Sequence, residues 1–249
     1  MSDNDEREVG RRGFADGARY QSARPGYPRD AIRFLVDRLH ITSTTRVLDV
    51  AAGTGLFTKE LLDVTSHVVA VEPSQGMRAE FAKQLPSLSI VEGTAEHLPC
   101  EDGSFDVLSV AQAFHWFNPV EALREFARVL VPGGGLCLIW NERDESVAWV
   151  DELSRAIRWH HQRPYDMATD FAPVIASGSF SDVERNVFEH VQMMDRASLH
   201  QRVLTTSYIA VMDKRDQDLI LRDVDQIIEG FDEHFELPYV TTTYCARRP

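Results

Sequence analysis

Two glycines and an acid are the residues of this chain whose types and spacing point most directly to chemistry. In VLDVAAGTG (47–55) an apolar run of strand type carries Asp49 and opens into Ala51 and Ala52, then Gly53 and Gly55. Small residues and glycines after a strand let a ligand lie against the backbone, and the N–H groups that start the next helix suit an anionic group such as a carboxylate. Glu72 closes the next apolar run in VVAVEPS (68–74), 17 residues after Gly55, where an acid accepts both hydroxyls of a ribose. In VEGTAEHLP (91–99), small Thr94 and Ala95 leave backbone groups free to read an adenine edge. FDVLSVAQAFHWF (105–117) is a buried run that opens into Gln112, Phe114, His115 and Trp116, where a reactive centre is expected. His115 is the candidate base, because an unperturbed imidazole titrates near neutrality.

Two familiar loops compete for the glycines. A phosphate-binding P-loop needs GxxxxGK[ST], but Gly53 and Gly55 lead into Leu56-Phe57-Thr58 with no lysine in place. The dinucleotide fingerprint GxGxxG finds Thr58 where its third glycine belongs, which weakens an NAD-type oxidoreductase reading.

The loops need a scaffold, and the sequence supplies one. Strand-type runs at 46–51, 67–72, 88–93, 105–112 and 136–141 alternate with helix-period runs, as a parallel sheet with helical crossovers requires. Phe57 and Leu61 share one helical face, and Met77, Phe81 and Leu85 another. Asn118, Pro119 and Glu121 form a helix start, Leu123, Phe126 and Leu130 the face turned to the sheet, and VPGGG the expected stop. Ile32, Leu35, Val36 and Leu39 predict an amphipathic helix from about Pro28. Helices are expected at 147–161 and 196–230, around a strand near 186–194, with a last strand at 238–248. The fold class expected is α/β: a Rossmann-like, doubly wound, mostly parallel seven-stranded sheet with an antiparallel last strand. The expected division is a disordered tail at 1–13 and one domain at 14–249. That domain comprises a lid and helix (14–40), a cofactor-binding core (41–142) and a C-terminal part with cap helices (143–249).

The chain has 249 residues and a formal net charge of −13, which opposes nucleic-acid binding through a basic face. Three dispersed cysteines indicate neither a disulfide framework nor a metal site. A polar start and the lack of a long apolar stretch predict a cytoplasmic protein with no membrane partner, a monomer or homodimer acting on a small-molecule substrate.

In order and spacing, VLDVAAGTG, VVAVEPS, GTAEHLP, FDVLSVAQAFHWF and VLVPGGGLCLIW resemble the class I S-adenosylmethionine-dependent methyltransferases, most closely the branch with ubiquinone/menaquinone-type and trans-aconitate-type enzymes. The resemblance covers residues 14 to 142 well and the C-terminal third more weakly. It implies S-adenosyl-L-methionine as cofactor, no metal, and transfer of its methyl group by in-line displacement to a carboxylate or hydroxyl oxygen. Asp49, Ala51, Gly53 and Gly55 would form the loop around the methionine part, Glu72 would hold the ribose, Met77 would pack on the adenine, Thr94 and Ala95 would border it, and Gln112 would lie near the sulfonium. Ala51 stands where many relatives have glycine, and Thr94 where an acid is common. A carboxylate acceptor would need no base, leaving His115 to orient it. Trp116, Phe114 and Tyr20 would line the pocket, an aromatic face near the sulfonium being favourable. The arm YQSARPGYP (20–28) would form a lid with Tyr20, Arg24 and Tyr27, Arg24 pairing with a carboxylate. Were the arm only a linker, Arg202 and Tyr208 would close the acceptor side. The competing function is a protein that binds the cofactor and acts without catalysis.

Overall fold

The structure, a computed structural model, describes residues 21, 23–157, 171–177 and 180–249, of which 173, 174 and 177 are described by their backbone alone. Tyr20 and the tail expected at 1–13 lie outside the described residues, as does the end of the helix expected at 147–161.

The first half alternates as the sequence pattern requires. Helix α1 (Arg29–Leu39) is followed by β1 (Val47–Val50), α2 (Leu56–Leu62), β2 (Val68–Val71), α3 (Gln75–Gln84), β3 (Ile90–Val91), β4 (Phe105–Ala111), a single 3-10 turn (Phe114–Trp116), α4 (Pro119–Val129) and β5 (Leu130–Arg143). The second half comprises α5 (Ala148–Ala156), α6 (Ala172–Ser177), β6 (Ser181–Met194), α7 (Arg196–Leu204), α8 (Ser207–Ala210), α9 (Lys214–Ile227) and β7 (Phe235–Arg247). Seven strands form one sheet in the order β3-β2-β1-β4-β5-β7-β6. The first five are mutually parallel, and β7 runs antiparallel to both β5 and β6.

Register explains the two core layers. Val47 stands opposite Val107 and Leu48 opposite Leu108. Successive side chains point to opposite faces. Leu48 and Leu108 therefore pack with Leu123 and Phe126 of α4, and Val47 and Val107 with Leu35, Leu39, Phe57 and Leu61 on the other face. A third cluster, with Val150, Leu153, Leu199, Val203 and Val224, joins α5, α7 and α9 to the far ends of β6 and β7. No helix among the described residues is long and apolar enough to cross a membrane.

Two local expectations are corrected. Asn118 caps α4 by accepting from the N–H groups of Val120 and Glu121, with Pro119 at the first position, but Pro132-Gly133-Gly134-Gly135 does not stop that helix. The helix ends at Val129, and Leu130 already starts β5, with the glycines taken up in a register shift between Phe105/Leu130 and Val107/Gly135. The strand expected at 88–93 shrinks to Ile90–Val91, the two residues that pair with β2 at the sheet's edge.

Candidate functional site

The C-terminal ends of β1, β2 and β4 open into two adjoining cavities, as parallel α/β sheets commonly arrange their ligand crevice. The larger, about 390 Å³, is lined by residues that include Glu72, Met77, Thr94, Ala95, Gln112 and Trp116. The smaller, about 60 Å³, is lined among others by Arg24, Tyr27, Phe57, Asn141 and Arg202. Ala51, Gly53, Ala111 and Gln112 line both and form the wall between them.

Glu72 follows β2 and is 6% exposed. Its carboxylate is held from both sides: Gly53 N–H donates to Oε2 at 3.0 Å and Ser74 N–H to Oε1 at 2.8 Å. Each oxygen keeps acceptor capacity for a further donor. Burial raises its pKa, while the two backbone donors and Arg78 oppose the rise. Ser74 also caps α3, whose buried Met77 forms part of the same wall. Thr94 bridges to His97 across the turn that presents Thr94 and Ala95, and Glu96 accepts from Asn118 N–H at 2.9 Å.

The glycine loop divides its labour. Gly53 (φ 59°) has open space where a side chain would begin. A side chain at Gly55 (φ 89°) would meet Leu85 at 2.8 Å and Phe81 at 2.9 Å, so Gly55 packs the loop against α3 and lines neither cavity. Ala51 and Gln112 adopt left-handed backbone, φ 55° and 61°, a conformation unusual for residues with a side chain. Asp49 is fully buried and lines neither cavity. It accepts from Thr58 Oγ1 at 2.6 Å and Ser109 Oγ at 2.8 Å. Burial pushes its pKa up to about 6 against the pull of these hydroxyls. The threonine in place of a third glycine thus ties α2 to β1.

Around the smaller cavity, Asn141 at the end of β5 donates to the carbonyl of Gly26 at 2.9 Å and accepts from Thr241 Oγ1 at 2.6 Å. Arg24 donates to the carbonyl of Thr205 at 2.8 Å, Gln21 accepts from Thr54 Oγ1, and Tyr27 meets Phe57 edge-on at 5.1 Å. The described part of the arm therefore lies across the ends of β1 and β5 and reaches α7. Arg202 on α7 is 6% exposed, and its Nε donates to Tyr239 Oη at 3.0 Å. Arg143 is buried beside it, with its pKa lowered to about 10, first by burial and then by the Arg202 charge. Tyr208 is half-buried, donates to the carbonyl of Ile157 at 2.7 Å and lies outside both cavity walls.

His115 also lies outside both cavity walls. Its Nδ1 faces Trp140 Nε1 at 3.5 Å, and its ring lies 4.9 Å from that of Trp116. An indole nitrogen only donates, so this contact favours the imidazole tautomer with its proton on Nε2.

Ser109 and Asn141 were not among the residues singled out from the sequence, and Thr58 was noted only for standing where a third glycine would. Asn141 had a signal, the polar end of a strand predicted parallel; Thr58 and Ser109 had none, because their role appears only when α2, β1 and β4 meet.

Comparison with known proteins agrees with this architecture. Residues 48–138 match the family described as a methyltransferase domain. An uncharacterized methyltransferase of Mycobacterium tuberculosis is 36% identical over 240 residues, covering 94% of this chain and 93% of its own. A demethylmenaquinone methyltransferase of Beutenbergia cavernae is 41% identical over 105 residues, 42% of this chain and 44% of that one. In structure, the phosphoethanolamine N-methyltransferase 2 of Haemonchus contortus, solved with S-adenosyl-L-methionine, superimposes with a TM-score of 0.54 at 15% identity, over 89% of this chain and 53% of that one. The chain belongs to the class I S-adenosylmethionine-dependent methyltransferases. It is an enzyme, and S-adenosylmethionine is its cofactor.

The residues fit that cofactor. Glu72 is a buried, preorganised acceptor; Gly53 leaves the loop open to close approach; and the larger cavity is in the range of small-ligand pockets.

Proposed function

We propose that this methyltransferase acts on a small-molecule carboxylate. The observation that carries the reading is the smaller cavity, where Arg202 and Arg24 line the wall and Arg143 is buried behind Arg202 in a chain of net charge −13. Buried guanidinium groups are stabilised by an anion, and their planar donors match a carboxylate. In this reading Glu72 holds the ribose, Met77, Thr94 and Ala95 border the adenine, and Ala51, Gly53 and Gln112 flank the methionine part. Bound S-adenosylmethionine supplies a methyl group already activated by the positive sulfur. Arg24 and Arg202 orient the two carboxylates, those of cofactor and acceptor, while Trp116 and the arm exclude water, so that the acceptor oxygen faces the methyl group in line. A carboxylate is already ionised at neutral pH and needs no base, in keeping with a His115 that lines neither cavity. A hydroxyl acceptor is the second reading, in which His115 must take a proton.

The test is label transfer from S-adenosylmethionine to a panel of small carboxylic acids, phenols and amines. Acids should be methylated at a single-turnover rate that is flat above about pH 6. Arg202→Met should raise the acceptor KM by roughly 10- to 100-fold, the loss of a charged pair, and leave the cofactor Kd unchanged. A phenol as best acceptor, with a rate that rises through neutrality and goes flat in His115→Gln, would establish the hydroxyl reading instead.

A further inference from the structure

β6 ends the sheet. Its inner side pairs with β7 from Ser181 to Met194, and no strand among the described residues pairs with its outer side. Such an edge carries a row of N–H and C=O groups that template another strand. At 14 residues it is well beyond the common strand length of about 5–6. Every second residue from Arg185 to Met193 is exposed, including Val187 at 45%, Val191 at 47% and Met193 at 60%. The alternate residues face the core, Phe188 lying 5.8 Å from Phe34 of α1. The side chains of Arg185 and Glu189 form no ion pair or hydrogen bond among the described residues.

We propose that this edge is a self-association surface: β6 pairs antiparallel with β6 of a second copy, about a two-fold axis through Val187. The register follows from geometry and charge. In an antiparallel ladder, residues that point their N–H groups at the partner stand opposite others that do the same, so a strand meeting its own copy has one residue on the axis. With Val187 there, Arg185 faces Glu189 of the second copy, and symmetry repeats the pair. Glu184 then faces His190. An axis through Arg185 or Glu189 sets like charges opposite one another, and other axes within the strand leave the two charges unmatched. The pattern Arg-x-Val-x-Glu is therefore self-complementary about its centre. The cavities lie at the ends of β1, β2 and β4, and β5 and β7 intervene before β6, so association leaves them open.

Sedimentation equilibrium on the full chain tests this. The wild type should be a dimer. Arg185→Glu and Glu189→Arg should each raise its dissociation constant by about tenfold or more, since like charges directly opposite are destabilising, and the double exchange should restore it. Circular dichroism should show the same fold in all four proteins. Oxidised Val187→Cys should form a covalent dimer above the background set by Cys100. Val191→Cys should not, its two copies lying about 27 Å apart along the ladder at roughly 3.4 Å per residue. A wild type that stays monomeric at every concentration, or a dimer indifferent to both charge reversals, overturns the proposal, and cross-linking through Val191→Cys alone overturns the register.

Discussion

The two cavities are built in opposite ways. The walls of the larger come from one continuous stretch, Ala51 to Phe117, each loop following directly on a parallel strand. Its acceptor, Glu72, is set by two backbone N–H groups. The smaller gathers Arg24, Asn141 and Arg202 from distant parts of the chain, and its polar groups are side chains held by other side chains or by remote carbonyls. A site made by strand order is fixed once the sheet forms. A site made by packing arm, β5 and α7 together changes with each of them, which on the proposed reading suits a scaffold that keeps its cofactor while its acceptors vary.

The sharpest way to break that comparison is Glu72→Ala. On the proposed reading it removes two charge-assisted hydrogen bonds to the ribose and leaves Gly53 N–H and Ser74 N–H without their acceptor. Cofactor affinity measured by calorimetry should fall about 100-fold, at roughly 1.5–3 kcal/mol for a hydrogen bond to a charged group. Arg202→Met should leave that affinity untouched. An equal loss in both variants would mean that the cavities act as one.

This contrast also decides what the sequence could disclose. The parallel strands and the acid after β2 were legible because each depends on residues near in sequence: the apolar run, its glycines and the next run's last residue. Asp49 was legible as a position and misleading as a contact, since only the fold brings Thr58 and Ser109 to its two oxygens. The glycines after α4 suggested a stop; nothing local shows that β4 accommodates them by shifting register. α6 and the left-handed turn at Gln112 were not anticipated, because both answer to tertiary packing. The pairing of Arg24 with Thr205 spans 181 residues, beyond any periodicity.

Within the glycine loop, Gly53 and Gly55 should separate by stability. Gly55→Ala introduces a side chain at φ 89° against Leu85 and Phe81 and should cost about 2–4 kcal/mol in urea unfolding, from left-handed strain plus overpacking. Gly53→Ala faces open space and should cost about 1–2 kcal/mol, the backbone strain alone. Comparable losses would refute the division of labour between them.

Asp49 provides a pH test of the scaffold beneath. Its carboxyl titrates at about 6 in the fold, against an ordinary value of 3.8. Between these values the native state holds a proton that the unfolded state has released, so this group's contribution to stability falls as pH rises from about 4 to about 6 and is level above. Denaturation at several pH values should show Asp49→Asn without this component, a difference on the order of 2 kcal/mol across the window. A wild type and variant with parallel pH profiles would mean that the carboxyl is not desolvated.

The smallest effect is expected at Ala51, the residue shared by both cavities. At φ 55° it bears a left-handed strain of roughly 1–2 kcal/mol that glycine would not. Ala51→Gly removes the strain but gives the unfolded chain more freedom, which costs about 0.4–1 kcal/mol in return. The two partly cancel, so stability should rise by no more than about 1.6 kcal/mol, with Tm moving by only a few degrees. On the proposed reading, the loss of a methyl group at the shared wall should register on both of its sides: cofactor Kd and acceptor KM should each shift by about two- to fourfold, the worth of a buried methylene. Ala51→Val sets the scale from the other direction, since a β-branched residue at this φ is a steric outlier and should lower both stability and affinity. If Ala51→Gly moves the acceptor KM while the cofactor Kd stays fixed, the wall belongs to the acceptor cavity alone and the boundary between the two regions lies at Gly53.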